Sequence, residues 1–412
     1  MTDLIRPFAA LRPRQDTAEA VIAPPYDVVD VDEARSLASG RPESFLHISR
    51  PEIDLPQGTD PHSDEVYATG SSNLKQLIDR QVLEREASDC YYVYRLEDGD
   101  HSQTGVALAA SIAAYESGRI HRHELTRPDK ENDRVRNIEA LNAQTGPVML
   151  AYKADDTVDA LLAEASASTP LLEARGQHDV VHTIWRIGSA DAVAALTQAI
   201  DALGDLYIAD GHHRSAAAAR VAADRRGGSK SADAAPEYFL GVAFPDDQMQ
   251  IFDYNRVVRD LNGLSADALL AAASDAFAVE SADTRAKPET AGSFGMYLEG
   301  RWYRLESRAR NAAGDPVENL DVRILHRDLI EPVFGISDPR TDPRIDFVGG
   351  VRGIEALEQR VDSGRAAAAF ALYPTSIREL MAVADAGLLM PPKSTWFEPK
   401  LADGLLTYVL DG

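Results

Sequence analysis

Two short segments hold the residues whose types and spacing could do chemistry. The first is Asp210-Gly211-His212-His213-Arg214, between the apolar run 206–209 and the alanine-rich stretch 215–226, and it reads as a strand turning directly into a helix. The first N–H groups of a helix lack intrahelical partners, and the helix dipole adds about half a positive charge at the same end. Such a turn attracts anions, phosphate above all. Gly211 lets an oxygen approach the backbone with no Cβ in the way, Arg214 can fork onto phosphate oxygens, and His212 and His213 add donors whose charge follows the local pH. Asp210 could take a magnesium ion or orient a histidine. A plain helix-capping role for Asp210 is equally open.

The second segment is 118–127, with His121, Arg122, His123, Glu124 and Arg127. By itself Glu124 reads as a surface carboxylate paired with Arg122 or Arg127. His121, His123, His212 and His213 could converge on a transition metal, because alternate residues of a strand point the same way; a histidine-metal hydrolase would follow. Two further segments contribute candidates. The double proline of Pro24-Pro25-Tyr26-Asp27 fixes the direction of Tyr26, at the rim of a pocket or in packing. Residues 387–394 imitate the end of a Walker A loop, but Pro392 has no N–H for a phosphate cradle. Lys393, Ser394 and Thr395 then contact an anion only if the C-terminal region folds over the cleft.

The elements that must position these residues follow from pattern. Residues 64–83 show apolar positions at helical spacing, and Tyr91-Tyr92-Val93-Tyr94 alternates too little for a half-exposed strand, so it suits a buried one. Residues 45–48 look like a strand edge. The charged run 129–136 is the solvated face of a helix with Ile138 and Leu141 inside. From 148 onward strand and helix alternate: strands at 148–152, 180–187 and 206–209, helices at 158–165, 190–203 and 215–226, with a further helix near 354–363. This alternation predicts a mixed α/β or α+β core.

At 412 residues the chain is expected to hold two or three domains. Acidic residues outnumber basic ones by 66 to 42, a formal charge of −24, which disfavours general nucleic-acid binding. A basic pocket for a small anion survives, because distant carboxylates are screened over roughly 8 Å. The single cysteine, Cys90, excludes an intramolecular disulfide and a cysteine-based zinc site. The first residues lack the pattern of a secretory leader and no apolar stretch reaches about 18 residues, so a cytoplasmic location away from membranes is expected.

Asp210 to Arg214 resembles the phosphate-binding motif of the ParB/sulfiredoxin-like superfamily, in the form found in archaeal free-serine kinases. With Ala23-Pro24-Pro25-Tyr26-Asp27-Val28-Val29, Arg122-His123-Glu124, Tyr254-Asn255-Arg256-Val257-Val258 and Met390-Pro391-Pro392-Lys393-Ser394-Thr395-Trp396-Phe397, nearly the whole chain resembles a large unknown-function family often labelled ParB-like. The resemblance implies an α+β fold with a ParB/sulfiredoxin-like nucleotide-binding core at 101–262. It also implies an N-terminal α/β segment at 1–100 packed on that core and a C-terminal α/β domain at 263–412 closing over the cleft. It further implies transfer of phosphate from ATP or ADP, with Mg2+, to the hydroxyl of free L-serine. In that reading Gly211, His212, His213 and Arg214 hold phosphate, Asp210 helps with metal and Glu124 is the base; His123, Arg127 and Tyr26 line the cleft. The serine-kinase pattern has proline where Arg122 stands here, and a long insertion separates Glu124 from Asp210. The same label also covers a nucleotide-binding regulatory protein without kinase activity. No helix-turn-helix pattern or basic face supports a DNA partner.

Overall fold

The tyrosine-rich run forms the strand Tyr91–Asp98, and Tyr91, Tyr92 and Tyr94 are buried. In the computed structural model, which describes residues 3–226, 234–308 and 314–411, this strand lies inside a nine-stranded sheet. The order from one edge is Ile120–His121, Leu206–Asp210, Val148–Tyr152, Tyr238–Pro245, His101–Ser111, Tyr91–Asp98, Val181–Ile187 and Leu172–Arg175, with Ile5–Arg6 also paired to His101–Ser111. Leu206–Asp210 runs parallel to Ile120–His121, and Tyr238–Pro245 parallel to Val148–Tyr152; the other pairings are antiparallel. Every residue of Val148–Tyr152 and Tyr238–Pro245 is buried, as expected of strands covered on both faces. The alternation of elements thus becomes a mixed α/β sheet protein.

The described chain divides into two compact units, 1–249 with 399–412, and 250–398. The divisions read from sequence fall elsewhere. The 100/101 boundary sits in the turn joining Tyr91–Asp98 to His101–Ser111, neighbours in one sheet. The 262/263 boundary lies beyond Tyr254–Val258, a strand of the second unit.

The short run 45–48, expected as a strand edge, is the helical turn Leu46–Ser49. A four-residue apolar run does not distinguish the two states. Here Phe45, Leu46 and Ile48 are buried among Val21, Leu74 and Leu77 in a helical layer with Val31–Ala38 and Asp64–Asp79. The last residues of the first unit return to that layer. Asp403 bridges Ala23, Thr407 bridges Leu11, and Tyr408–Val409 pairs with Ala143–Gln144.

The second unit holds a six-stranded antiparallel sheet, ordered Phe277–Ala282, Arg301–Ser307, Ser293–Leu298, Ala368–Leu372, Tyr254–Val258 and Ile345–Gly349. No helix among the described residues is long and apolar enough to cross a membrane.

Tyr408 anchors the C-terminal return. Its ring packs edge-on against Phe8 and its hydroxyl donates to the Ala235 carbonyl at 3.0 Å. Tyr408→Ala is therefore expected to lower the unfolding free energy by about 3 to 5 kcal/mol, the range for deleting a buried aromatic, in urea titrations followed by near-UV circular dichroism. A loss below about 1 kcal/mol would show that the return does not depend on this anchor.

Candidate functional site

The strand Leu206–Asp210 carries a register shift between Ile208 and Asp210, where Ile208 faces Leu150 but Asp210 faces Met149. One extra residue bends the strand end and re-aims the side chain that follows. Gly211 then takes φ +101°, and the helix His212–Arg226 begins at once, the Gly211 carbonyl accepting from the Arg214 and Ser215 N–H groups at 2.9 and 3.0 Å. A Cβ at Gly211 would sit 3.1 Å from Arg214 Nε and 3.3 Å from Val148 Cα. Only glycine meets both conditions without strain. Ala216, Ala217 and Ala218 are buried, small enough for the helix to seat closely on the sheet.

Asp210 meets two cations. Arg214 Nη2 donates to its Oδ2 at 2.9 Å, and Lys400 Nζ lies 3.8 Å from the same oxygen. Burial works to raise the carboxyl pKa, but Lys400, Arg214 and His212 outweigh it and hold Asp210 well below the usual carboxylate range. Arg214, buried, also donates through Nη1 to the Pro147 carbonyl. Asp210 and the Pro147 carbonyl thus occupy the guanidinium expected to fork onto phosphate.

His212 is buried and stacks edge-on against His123, ring centroids 4.4 Å apart. Its Nε2 accepts from the His123 backbone N–H at 3.4 Å, and its Nδ1 lies 3.8 Å from Glu124 Oε2. Burial lowers both imidazoles, His123 to about 4 and His212 well below its ordinary value. Both are neutral near pH 7, and with Nε2 accepting, the His212 proton sits on Nδ1, facing Glu124. Glu124 is exposed on the bend between Ile120–His121 and the helix Pro128–Leu141. His213 Nε2 accepts from the Arg127 N–H at 3.0 Å, fixing the far end of the same loop.

The expected four-histidine convergence does not form. His121 stacks on Tyr207 with ring centroids 4.9 Å apart and lies 3.7 Å from Asp205 Oδ1, while His213 faces Arg127. The parallel pairing of Tyr207 with His121 holds that ring against the sheet edge. His123, Glu124 and His212 do come together, with one ligand atom from each within 4.8 Å of the others, and His123 Nδ1 is buried without a hydrogen-bond partner among the described residues. Arg127 turns its guanidinium to Asp129 at 2.8 Å.

Behind Arg214 lies a cavity of about 20 Å³ lined by Tyr26, Arg134, Gln144, Thr145 and Asp403, about the size of one water. Arg134 lies 3.7 Å over the Tyr26 ring, and burial pushes the Tyr26 hydroxyl up to about 12. Asp403 is buried, its Oδ1 has no hydrogen-bond partner among the described residues, and burial raises its carboxyl to about 7. Lys400 and Asp403 gave no signal in sequence; they lie 190 and 193 positions beyond Asp210 and reach it through the C-terminal return. Lys393, Ser394 and Thr395 belong to the second unit, where Ser394 Oγ donates to the Pro391 carbonyl at 2.6 Å and Lys393 Nζ lies 5.5 Å from the Tyr254 ring centre.

A mixed α/β sheet whose bulged strand passes through a left-handed glycine into a helix, with two neutral histidines and a glutamate beside it, defines the class of site. The chain belongs to the family described as a protein of unknown function, DUF1015, whose model matches residues 5–323. No curated protein matches the chain. Among solved structures it is similar to a conserved hypothetical protein from Pyrococcus furiosus, at 13% identity and TM-score 0.34 over 73% of this chain and 94% of that one. Free serine kinase in complex with AMP matches at 12% identity and TM-score 0.35 over 73% and 92%. SbnI with a C-terminal truncation, from Staphylococcus aureus, matches at 13% and 0.38 over 72% and 85%.

Gly211→Ala is expected to lose about 1 to 2 kcal/mol of stability from the positive φ alone, read in thermal or urea unfolding; an unchanged midpoint would mean the turn relaxes to a conformation open to any residue. The histidine pair sets an acid dependence. His123 has a folded pKa of about 4 against an ordinary 6.5, so the unfolded chain binds the proton more readily and stability falls as pH drops through that window. His123→Gln is expected to flatten this fall between pH 6.5 and 4; an equally steep fall in the variant would place the acid sensitivity in other groups.

Proposed function

We propose that the protein is a small-molecule kinase that moves phosphate from ATP or ADP to the hydroxyl of free L-serine, giving O-phosphoserine, and that its first unit is a ParB/sulfiredoxin-like nucleotide-binding core. The observation carrying this reading is the 3.8 Å approach of Glu124 Oε2 to His212 Nδ1. It sets a carboxylate beside the helix start that attracts anions, despite the 86 positions between Glu124 and Asp210. The motif resemblance of Asp210 to Arg214 and of His123-Glu124 supplies the substrate pair.

In the proposed reaction the serine hydroxyl oxygen bonds to the terminal phosphorus, the bond from that phosphorus to the bridging oxygen breaks, and ADP leaves from ATP or AMP from ADP. Glu124 takes the hydroxyl proton. The N–H groups opening the His212–Arg226 helix and His213 hold phosphate oxygens, and Lys400, positioned by Asp210, adds a cation. Magnesium bound to the nucleotide would neutralise phosphate charge. Asp210, whose Oδ2 faces Arg214 and Lys400, would meet that ion through Oδ1.

Purified protein incubated with magnesium, L-serine and either ATP or ADP is expected to form phosphoserine, detectable by mass spectrometry. Glu124→Gln is expected to lower kcat by about a hundredfold or more while nucleotide binding persists. Full activity in Glu124→Gln, or no phosphoserine with either nucleotide, would sink the kinase reading.

A second reading has its own observation. His123, Glu124 and His212 form a two-imidazole, one-carboxylate set, of the kind that binds zinc or iron in hydrolases. Protein purified without chelator would then carry near-stoichiometric transition metal that His123→Ala removes; metal-free wild-type protein would reject this reading.

A further inference from the structure

The motif residues of the second unit, at 254–258 and 390–397, are not used by the proposed reaction. We infer that they build a separate pocket in this unit for a small organic anion, one carboxylate or phosphate head on an apolar body, with Arg256 as the residue that selects the charge.

Arg256 lies on the strand Tyr254–Val258 and is 6% exposed. Its guanidinium donates to the carbonyls of Tyr254, Pro392 and Lys393, the last at 2.9 Å, and pairs with no carboxylate among the described residues. Burial pushes it down to about 10. Its guanidinium carbon also lies 5.1 Å from the Phe347 ring centre; carbonyl dipoles and a ring face leave a buried cation without a countercharge, and an anionic ligand would supply one.

Arg256 borders a pocket of about 310 Å³, near the lower end of the range for small-molecule sites. Leu325, Ile330, Phe347 and Pro391 give it apolar walls, and Arg323, His326 and Arg340 give it polar ones. Arg323 is paired with Glu318 at 2.8 Å and Arg340 with Asp338 at 2.9 Å. His326, lowered by burial, faces Glu331 at 3.9 Å. With Glu318 and Asp338 taken by Arg323 and Arg340, the surplus positive charge of this wall is that of Arg256.

A second, independent feature points to the same place. His326–Ile330 is a π-turn between the helices Asp321–Leu325 and Glu331–Phe334, and both its end residues line the pocket. Pro332 lacks the N–H that would continue α-helical bonding through this stretch. π-turns are uncommon and concentrate at functional sites.

The test uses the full chain and titration calorimetry with phenyl phosphate, benzoate and inorganic phosphate as probes. At least one aromatic probe is expected to bind more tightly than inorganic phosphate, and Arg340→Glu, a change at an exposed rim residue, to weaken it about tenfold or more. Arg256→Lys should weaken binding similarly, because a lysine does not reproduce the planar fork. If Arg256→Lys fails to fold, Arg340→Glu decides alone, with far-ultraviolet circular dichroism checking its fold. Arg214→Met separates this pocket from the site in the first unit and should leave aromatic-probe binding unchanged. No binding of either aromatic probe at millimolar concentration, unchanged affinity in folded Arg340→Glu, or loss of binding in an Arg214→Met variant shown to be folded by the same spectrum would overturn the inference. Each of these results is separate from the fate of the kinase reading, which phosphoserine formation decides.

Discussion

The candidate site rests on one contact, the edge-on packing of two buried imidazoles, His123 and His212. The contact requires both rings to be neutral, since two imidazolium ions at that spacing would repel strongly in a poorly screened interior. Burial meets the requirement by lowering both. Neutrality then orients the pair. The Nε2 of His212 takes the His123 N–H, so its proton-bearing Nδ1 turns to Glu124. A loop that would otherwise leave the sheet edge after Ile120–His121 is thereby tied to the helix start at both ends, through His212 and through His213.

The charges around this contact are arranged in pairs that a strongly acidic chain would not bring together by composition. Asp210 is held ionised between Arg214 and Lys400. Asp403, only a few residues from Lys400, is pushed toward neutrality by burial although Arg214 and Arg134 oppose the shift. Two aspartates of one unit thus differ in protonation because one has direct cationic partners and the other has chiefly low-dielectric surroundings. Gly211 keeps the backbone out of the way, and the alanines after it let the helix carry these charges close to the sheet.

In the second unit the motif residues serve architecture before they serve any ligand. Asn255 accepts the Leu372 N–H at 2.9 Å across the sheet, Thr375 donates to the Ser394 carbonyl at 3.0 Å, and Tyr254 packs edge-on against Trp396. These contacts fix the 390–397 segment against the strand Tyr254–Val258. The direction of Arg256 follows from that fixation.

Local patterns were readable from the chain itself. The buried tyrosine strand, the strand and helix flanking Asp210 to Arg214, and the charged helix after Arg127 depend on periodicity, turn residues and propensities that act within a few positions. The anion-attracting character of the Gly211 turn has the same local origin. The helical turn Leu46–Ser49 shows where this reach ends, because a short apolar run takes its state from what packs against it. Tertiary structure alone decided that His121 leaves the histidine group while His123 and Glu124 join His212, that the strands on either side of residue 100 pair in one sheet, and that Lys400 and Asp403 stand near Asp210 and Arg214. Those outcomes depend on strand pairing and burial between residues distant in sequence, and no local spacing encodes them.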